Sequence, residues 1–223
     1  MNSSQTAAHR WVIGITGASG TVYARRMVQA MLENEPLADL HVIFSDAALR
    51  VMREEEGIST SINRIDVESL FGPLASDRIT TYSNRDIGAS IASGSFRTRG
   101  MVIVPCSMAT LAAVACGYCD KLIHRAADVV LKEQRRLIIV PRETPLSSIH
   151  LENMLKLVRA GASMVPAMPG FYHQPASIEE LVDMQVMKIL DVMGYEIDLV
   201  QRWKGGSRWP LGPAESQSER KRN

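Results

Sequence analysis

Trp11-Val-Ile-Gly-Ile15-Thr-Gly-Ala-Ser-Gly20 begins as a short apolar run and ends in a turn of glycines and hydroxyls. From Thr21 onward apolar residues recur at helical spacing, at Val22, Met27, Val28, Met31 and Leu32. Strand, tight turn and helix follow from that pattern. The alternation continues with His41 to Phe44 as strand, Ala47 to Glu55 as helix, Met101 to Val104 as strand and Leu122 to Lys132 as helix. Leu137 to Val140 then reads as strand, Ile149 to Arg159 as helix, Ser163 to Val165 as strand, and Ile178 to Met193 as a last helix. Apolar strands alternating with crossover helices build a parallel sheet covered on both faces. The prediction is therefore a single α/β domain with a doubly wound, Rossmann-like (flavodoxin-like) parallel sheet. Thr144-Pro145 is expected to supply the N-cap and first-turn proline of the helix that Gly161 ends. Ser59 to Arg99, with only short apolar pieces such as Ile79 to Tyr82, reads as a long, partly irregular insertion.

The 223 residues suit one domain of this kind, and 46% apolar with 22% charged residues excludes a disordered, collagen-like or coiled-coil chain. Twenty-five Lys+Arg against 24 Asp+Glu leave a net charge of +1, without the basic excess that nucleic acid or a membrane surface selects, so neither partner is expected. Residues 1–9 are polar, lack an apolar secretory segment and read as a disordered N-terminus, and the longest uncharged run, Met101 to Cys119, is broken by Pro105, Ser107 and Thr110. A cytoplasmic protein is predicted. The folded domain is expected over 10–203, and 204–223, rich in Gly, Ser, Pro and charge, as a disordered tail. Cys116-Gly-Tyr-Cys119 lacks the second ligand pair that structural zinc needs and reads as helix-end packing. His150 and His173 have no metal-motif spacing, so no metal is expected.

The first turn places Gly17, Ala18 and Ser19 where backbone N–H groups and a helix dipole can face a phosphate. It is not the G-x-G-x-x-G of dinucleotide enzymes, and the second strand ends at Ser45 rather than at the acidic residue that grips a ribose, although Asp46 follows. Val104-Pro-Cys-Ser107-Met108-Ala109-Thr110 repeats the scheme of strand end, hydroxyl turn and helix. Both turns are expected at one crevice beyond the carboxyl ends of the strands. A third strand end sets Arg142 beside Glu143 at that edge, as a functional pair or a surface ion pair. Arg125 and Lys132 stand two turns apart with Asp128 between them, spacing that suits either a phosphate clamp or a solvated helix face. Gly170 to Pro175 is a proline-bounded loop whose Tyr172 and His173 can close over a pocket. A Tyr-x-x-x-Lys pair and a G-x-S-x-G elbow are both missing from the sequence, which argues against a short-chain reductase and an α/β-hydrolase.

GITGASG (14–20), SGSF (93–96), PCSMATLAAVACGYCDKLIHRAADVVLKE (105–133), VPRETPLSSIHLENMLKL (140–157) and PAMPGFYHQP (166–175) together resemble the flavin prenyltransferase family. These are the UbiX-like proteins, which include the small B subunits of phenolic acid decarboxylase systems. The resemblance runs from Trp11 to Trp203. It implies a flavoprotein that binds FMN between subunits of a homo-oligomer, a homododecamer of trimers, and alkylates reduced FMN with dimethylallyl phosphate. Prenylated FMN then serves a UbiD-type decarboxylase. By matched motif, Gly17, Ala18, Ser19, Ser45, Ser107, Met108, Ala109, Thr110 and Arg142 correspond to FMN contacts. Ser93, Gly94, Arg125, Lys132, Glu143, Tyr172 and Lys188 correspond to the prenyl-phosphate pocket, and Trp203 to the tryptophan that covers it. One position departs from the family, which usually presents arginine where this chain has Lys188.

The chemistry implied by the resemblance suits these residue types. Breaking an allylic C–O bond leaves charge on the phosphate, which Arg125, Lys132, Lys188 and the Tyr172 hydroxyl are placed to stabilise without a metal. The allylic cation calls for an electron-rich, apolar wall such as Trp203, and Glu143 with Ser93 is expected to carry the proton. Two other readings share the FMN site. One is a non-catalytic FMN-binding subunit of an aromatic acid decarboxylase, which has no need of the set Arg125, Lys132, Glu143 and Tyr172. The other is a cysteine-type flavin decarboxylase, which needs an early histidine base and an Asn-rich clamp that the sequence lacks.

Overall fold

The computed structural model describes residues 9–58 and 65–203. Its strands β1 (Arg10–Ile15), β2 (Asp39–Phe44), β3 (Ile79–Ser83), β4 (Gly100–Cys106), β5 (Arg136–Pro141) and β6 (Ser163–Met164) form one parallel sheet in the order β3-β2-β1-β4-β5-β6. The order reverses between β1 and β4, the switch point at which open α/β sheets bind ligands beyond the carboxyl ends of their strands. Ile15 is in register with Phe44, Phe44 with Ser83 and Cys106 with Pro141, so the turns that follow these strands open along one edge.

Seven α-helices cover the sheet among the described residues: α1 (Thr21–Asn34), α2 (Asp46–Glu56), α3 (Val67–Phe71), α4 (Met108–Cys116), α5 (Leu122–Lys132), α6 (Ser148–Arg159) and α7 (Ile178–Met193). Period-two alternation sends Trp11, Ile13, Leu40, Val42, Val102 and Ile138 into one core with α1, α2, α3 and α7. Val12, Ile43, Met101, Ile103 and Ile139 enter the other, with α4, α5 and α6. Both faces are apolar because both are covered, as a doubly wound sheet requires.

Two expectations are corrected. The stretch read as an irregular insertion contains α3 and the edge strand β3, whose Thr80 and Thr81 sit among partly exposed residues and so broke the apolar pattern. Thr144-Pro145 does not start α6: Ser147 is its cap, with Ser147 Oγ accepting the His150 N–H and a His150 ring nitrogen accepting the Ser147 N–H, both at 3.3 Å. The reciprocal box lies nearer the helix than the proline does, and it satisfies the first-turn donors directly. Of 1–9 and 204–223, expected to be disordered, His9 is described, its carbonyl accepting the Asp39 N–H at 3.1 Å, and the rest lie outside the described residues, as does part of the insertion, 59–64.

Candidate functional site at the sheet switch point

The turns after β1 and β4 are fastened by a side chain that the sequence reading passed over. Thr16, 1% exposed, donates its hydroxyl to the Pro105 carbonyl at 2.7 Å and accepts the Ser107 N–H at 2.8 Å. The available signal was its position, the first polar residue after the buried run Trp11 to Ile15. Gly17 is required by packing, since a Cβ there would collide with the Ala47 methyl at the start of α2.

Three helix N-termini face this edge, and their charges differ. At α1 the Gly20 N–H is taken by Glu55 Oε2 at 2.9 Å and the Thr21 hydroxyl by Glu56 Oε1 at 2.7 Å, so this helix start carries its own carboxylates. The open phosphate cradle expected there is therefore reduced to the backbone of Gly17, Ala18 and Ser19. At α2, Ser45 Oγ accepts the Ala48 N–H at 3.0 Å, and Asp46 follows with Arg85 bound to its Oδ2 at 2.5 Å. That ion pair engages the one acid placed to grip a ribose. At α4, Ser107 Oγ accepts the Thr110 N–H at 3.3 Å and no acidic residue stands in the first turn. Anions are stabilised at helix N-termini and carboxylates compete for the same place, so Ser107, Met108, Ala109 and Thr110 offer the open anion site of the three.

Arg142 follows β5, its N–H bonded to the Cys106 carbonyl at 3.3 Å. Its Nε is buried without a hydrogen-bond partner among the described residues. Burial raises the Tyr23 pKa, and the positive charge of Arg142 opposes that shift. A buried guanidinium nitrogen with no partner is costly unless a ligand oxygen meets it. Together with the N–H groups at α4 this is a donor set suited to a phosphate monoester, and the site fits FMN. Glu143, exposed, makes no ion pair with Arg142; its Oε1 accepts the Thr144 N–H at 3.0 Å.

The remaining candidates lie elsewhere in the chain. Ser93 and Gly94 precede β4; the Ser93 and Ser95 hydroxyls are 2.8 Å apart, and a Cβ at Gly94 would strike the Glu133 carboxylate. Arg135, another residue not anticipated, clamps this loop by donating to the carbonyls of Gly94 at 2.6 Å and Phe96 at 2.8 Å. Lys132, at the end of α5, reaches Glu133 Oε1 at 3.4 Å. The whole of β5 separates this cluster from Glu143, about 20 Å at the usual rise of a parallel strand. Arg125, in the first turn of α5, bonds Asp128 at 3.0 Å, so Arg125 and Lys132 sit at opposite ends of one helix, each with an acidic partner. Tyr172 and Trp203 meet edge to face with ring centroids 6.1 Å apart, and Lys188, on α7 in the other helical layer, bonds Asp191 at 3.2 Å. One chain thus assembles the crevice and leaves the Ser93–Lys132 cluster at the other end of β5. Among the described residues no cluster of His, Cys, Asp or Glu is able to hold a metal ion, and no helix is long and apolar enough to cross a membrane.

The sequence profile of the Flavoprotein family matches residues 1–192. The chain is 48% identical to the flavin prenyltransferase UbiX of Alkalihalophilus pseudofirmus over 86% of its length and 94% of that protein. It is 47% identical to the flavin prenyltransferase LpdB of Lactiplantibacillus plantarum over 88% and 98%. Among solved structures it is similar to AnUbiX (PadA1) in complex with FMN and dimethylallyl pyrophosphate, with a TM-score of 0.80 and 40% identity over 89% of this chain and 99% of that one. It is also similar to a dodecameric FMN-dependent UbiX-like decarboxylase from Escherichia coli O157:H7, with a TM-score of 0.79 and 42% identity over 88% and 100%. With the crevice geometry and these likenesses in agreement, the chain belongs to the Flavoprotein family and, within it, to the UbiX-like flavin prenyltransferases.

Proposed function

We propose that this protein transfers a dimethylallyl group from dimethylallyl phosphate to reduced FMN, yielding prenylated FMN for a UbiD-type decarboxylase in the cytoplasm. The observation that carries the reading is at the switch point, where the start of α4 is free of carboxylates and Arg142, whose backbone N–H bonds the Cys106 carbonyl just before Ser107, keeps its Nε buried and unpartnered among the described residues. Gly17, Ala18, Ser19, Ser45, Ser107, Met108, Ala109, Thr110 and Arg142 would hold FMN, and reduced FMN supplies the electron-rich ring that accepts the prenyl group. A solved relative contains FMN together with a dimethylallyl ester, which supports the pairing of substrates.

Arg125, Lys132, Lys188 and Tyr172 stabilise the charge that develops on the departing phosphate, which needs preorganised donors rather than a metal. Trp203 excludes water from the allylic fragment, and Glu143, assisted by Ser93, accepts and returns the proton. Because one chain holds Ser93 and Lys132 a strand's length away from Glu143, the reading requires neighbouring copies to complete the pocket. A homododecamer such as the one formed by the Escherichia coli relative provides them.

The test is the mass of the flavin extracted after anaerobic incubation of the protein with reduced FMN and dimethylallyl phosphate. A gain of one isoprene unit is expected. FMN recovered unchanged, under conditions in which the protein binds it, would overturn the reading in favour of a plain FMN carrier.

A further inference from the structure

The last described residues hang on one carboxylate of α7. Asp191 accepts from Arg202 through both oxygens, Nη2 to Oδ1 at 2.7 Å and Nη1 to Oδ2 at 3.0 Å, while Oδ2 also accepts from Lys188 Nζ at 3.2 Å. Asp198 bonds Arg202 through Nε on the other side. Upstream, the segment is fixed by packing: Tyr195 and Ile197 are buried, Leu199 lies against the same core, and the Tyr195 hydroxyl accepts the Trp11 indole N–H at 3.0 Å. Beyond Leu199 that anchoring stops. Between α7 and the segment lies an open cleft of about 530 Å³ lined by Asp191, Gly194, Tyr195, Glu196, Asp198 and Arg202, a polar gap rather than a core. Trp203 is 60% exposed and meets the Tyr172 ring edge to face.

We propose that Asp191 and Arg202 form a clasp that positions the prenyl-phosphate pocket, with Arg202 strapping Trp203 against Tyr172 while the same carboxylate orients Lys188. The proposal rests on the functional reading above, which places Lys188, Tyr172 and Trp203 at the prenyl phosphate. A planar guanidinium gripping both oxygens of a carboxylate fixes direction as well as distance, which a single lysine contact does not. Burial disfavours the ionised form of Asp191, yet the hydrogen bonds from Arg202 and Lys188 prevail and hold its carboxyl below the usual carboxylate range. The clasp carboxylate is therefore charged at neutral pH. Arg202 shares its charge with Asp198, so Asp191 remains available to hold the ammonium of Lys188 in place.

The test compares Arg202→Gln, Arg202→Lys, Asp191→Asn and the double variant Asp191→Asn/Arg202→Gln with the parent, all in a Trp209→Phe background, in which the fully buried Trp11 adds the same slow, rigid component to every protein. Two quantities are read: the time-resolved emission anisotropy of Trp203 without substrate, and the KM for dimethylallyl phosphate at saturating reduced FMN. Arg202→Gln should add a fast anisotropy component and raise KM roughly ten-fold, the scale of one lost hydrogen bond between charged groups, with kcat and FMN affinity near the parent's. Arg202→Lys should recover part of both, and the double variant should show no more strap motion than either single one, because both substitutions open the same clasp. Unchanged anisotropy in Arg202→Gln overturns the clasp. A mobile Trp203 with unchanged KM, or a fall in kcat and FMN affinity as large as the rise in KM, overturns its positioning role. If the parent transfers no prenyl group, the functional reading fails at that point, and the anisotropy series still decides whether the clasp exists.

Discussion

Thr16 Oγ1 accepts the N–H of Ser107 at 2.8 Å, and through this bond the turn after β1 is bolted to the turn after β4 across the switch point. The same hydroxyl donates to the Pro105 carbonyl, so Thr16→Val would leave the Ser107 N–H without a partner and the Pro105 carbonyl with only the Thr16 N–H at 3.3 Å. The expected cost is about 1–3 kcal/mol of stability, together with weaker FMN binding, because the two turns lose their fixed spacing. Thr16→Ser should restore most of both. Denaturant unfolding and FMN titration of the three proteins check this, and a valine variant equal to the parent in both would show that the turns hold their spacing without the hydroxyl.

Glu143 stands exposed at the crevice edge, its Oε1 accepting the neighbouring Thr144 N–H at 3.0 Å. Glu143→Gln keeps the shape and removes the proton. FMN binding should be retained, and single-turnover prenyl transfer should slow by about two powers of ten or more, the scale of a general acid–base residue. Prenylation at the parental rate in this variant would take Glu143 out of the mechanism.

At the opposite end of the sheet, Asp39 lies 3.2 Å from His41 and 2.7 Å from Arg10. The close contact with His41 acts most strongly and, with the Arg10 contacts, outweighs burial, holding the Asp39 carboxyl below its ordinary range. The native carboxyl takes up a proton less readily than the unfolded one, so protonation favours unfolding. Its contribution is complete above the unfolded value, about pH 4, and declines as the pH falls below it. Asp39→Asn should lower stability at neutral pH and flatten the decline on the acid side. Thermal unfolding between neutrality and the acid limit gives the comparison, and parallel curves for the two proteins would contradict it.

The strands that face two cores were legible because burial on both sides leaves an unbroken apolar run, as in Trp11 to Ile15 and Met101 to Val104. β3 was not legible, because its position at the edge leaves Thr80 exposed and only Ile79 buried. At the crevice, glycines and hydroxyls announced the turns. The charges that decide which helix start is open come from residues far along the chain, Glu55 and Glu56 for α1 and Arg85 for Asp46, and no local pattern connects them. The proposed grouping of Arg125 with Lys132 rested on their common helix face. Helical spacing places side chains on a face and says nothing about which end of the sheet each end of the helix reaches. That second question is settled by the connection to β5.

Helix α6 buries one side chain, Leu157, in its own chain, while Leu151, Leu155 and Val158 form an exposed stripe at i, i+4 and i+7. An amphipathic helix presents such a stripe where a second surface covers it, and a pocket whose residues lie at both ends of β5 in one chain needs neighbouring copies. If α6 supplies that contact, Leu155→Glu puts a carboxylate into a closed apolar interface, where an unpaired charge costs far more than it does on a monomer already 49% exposed at that residue. The variant should remain folded, as read by circular dichroism, and elute as a smaller species whose mass light scattering resolves. It should also lose prenyl transfer although every crevice residue is intact. Leu151→Glu should act in the same way, whereas a charge at exposed Leu74, on the far side of the sheet between α3 and β3, should leave assembly unaltered. An α6 variant with the parent's mass would place the interface elsewhere. A smaller species with full activity would show that one chain completes the pocket alone.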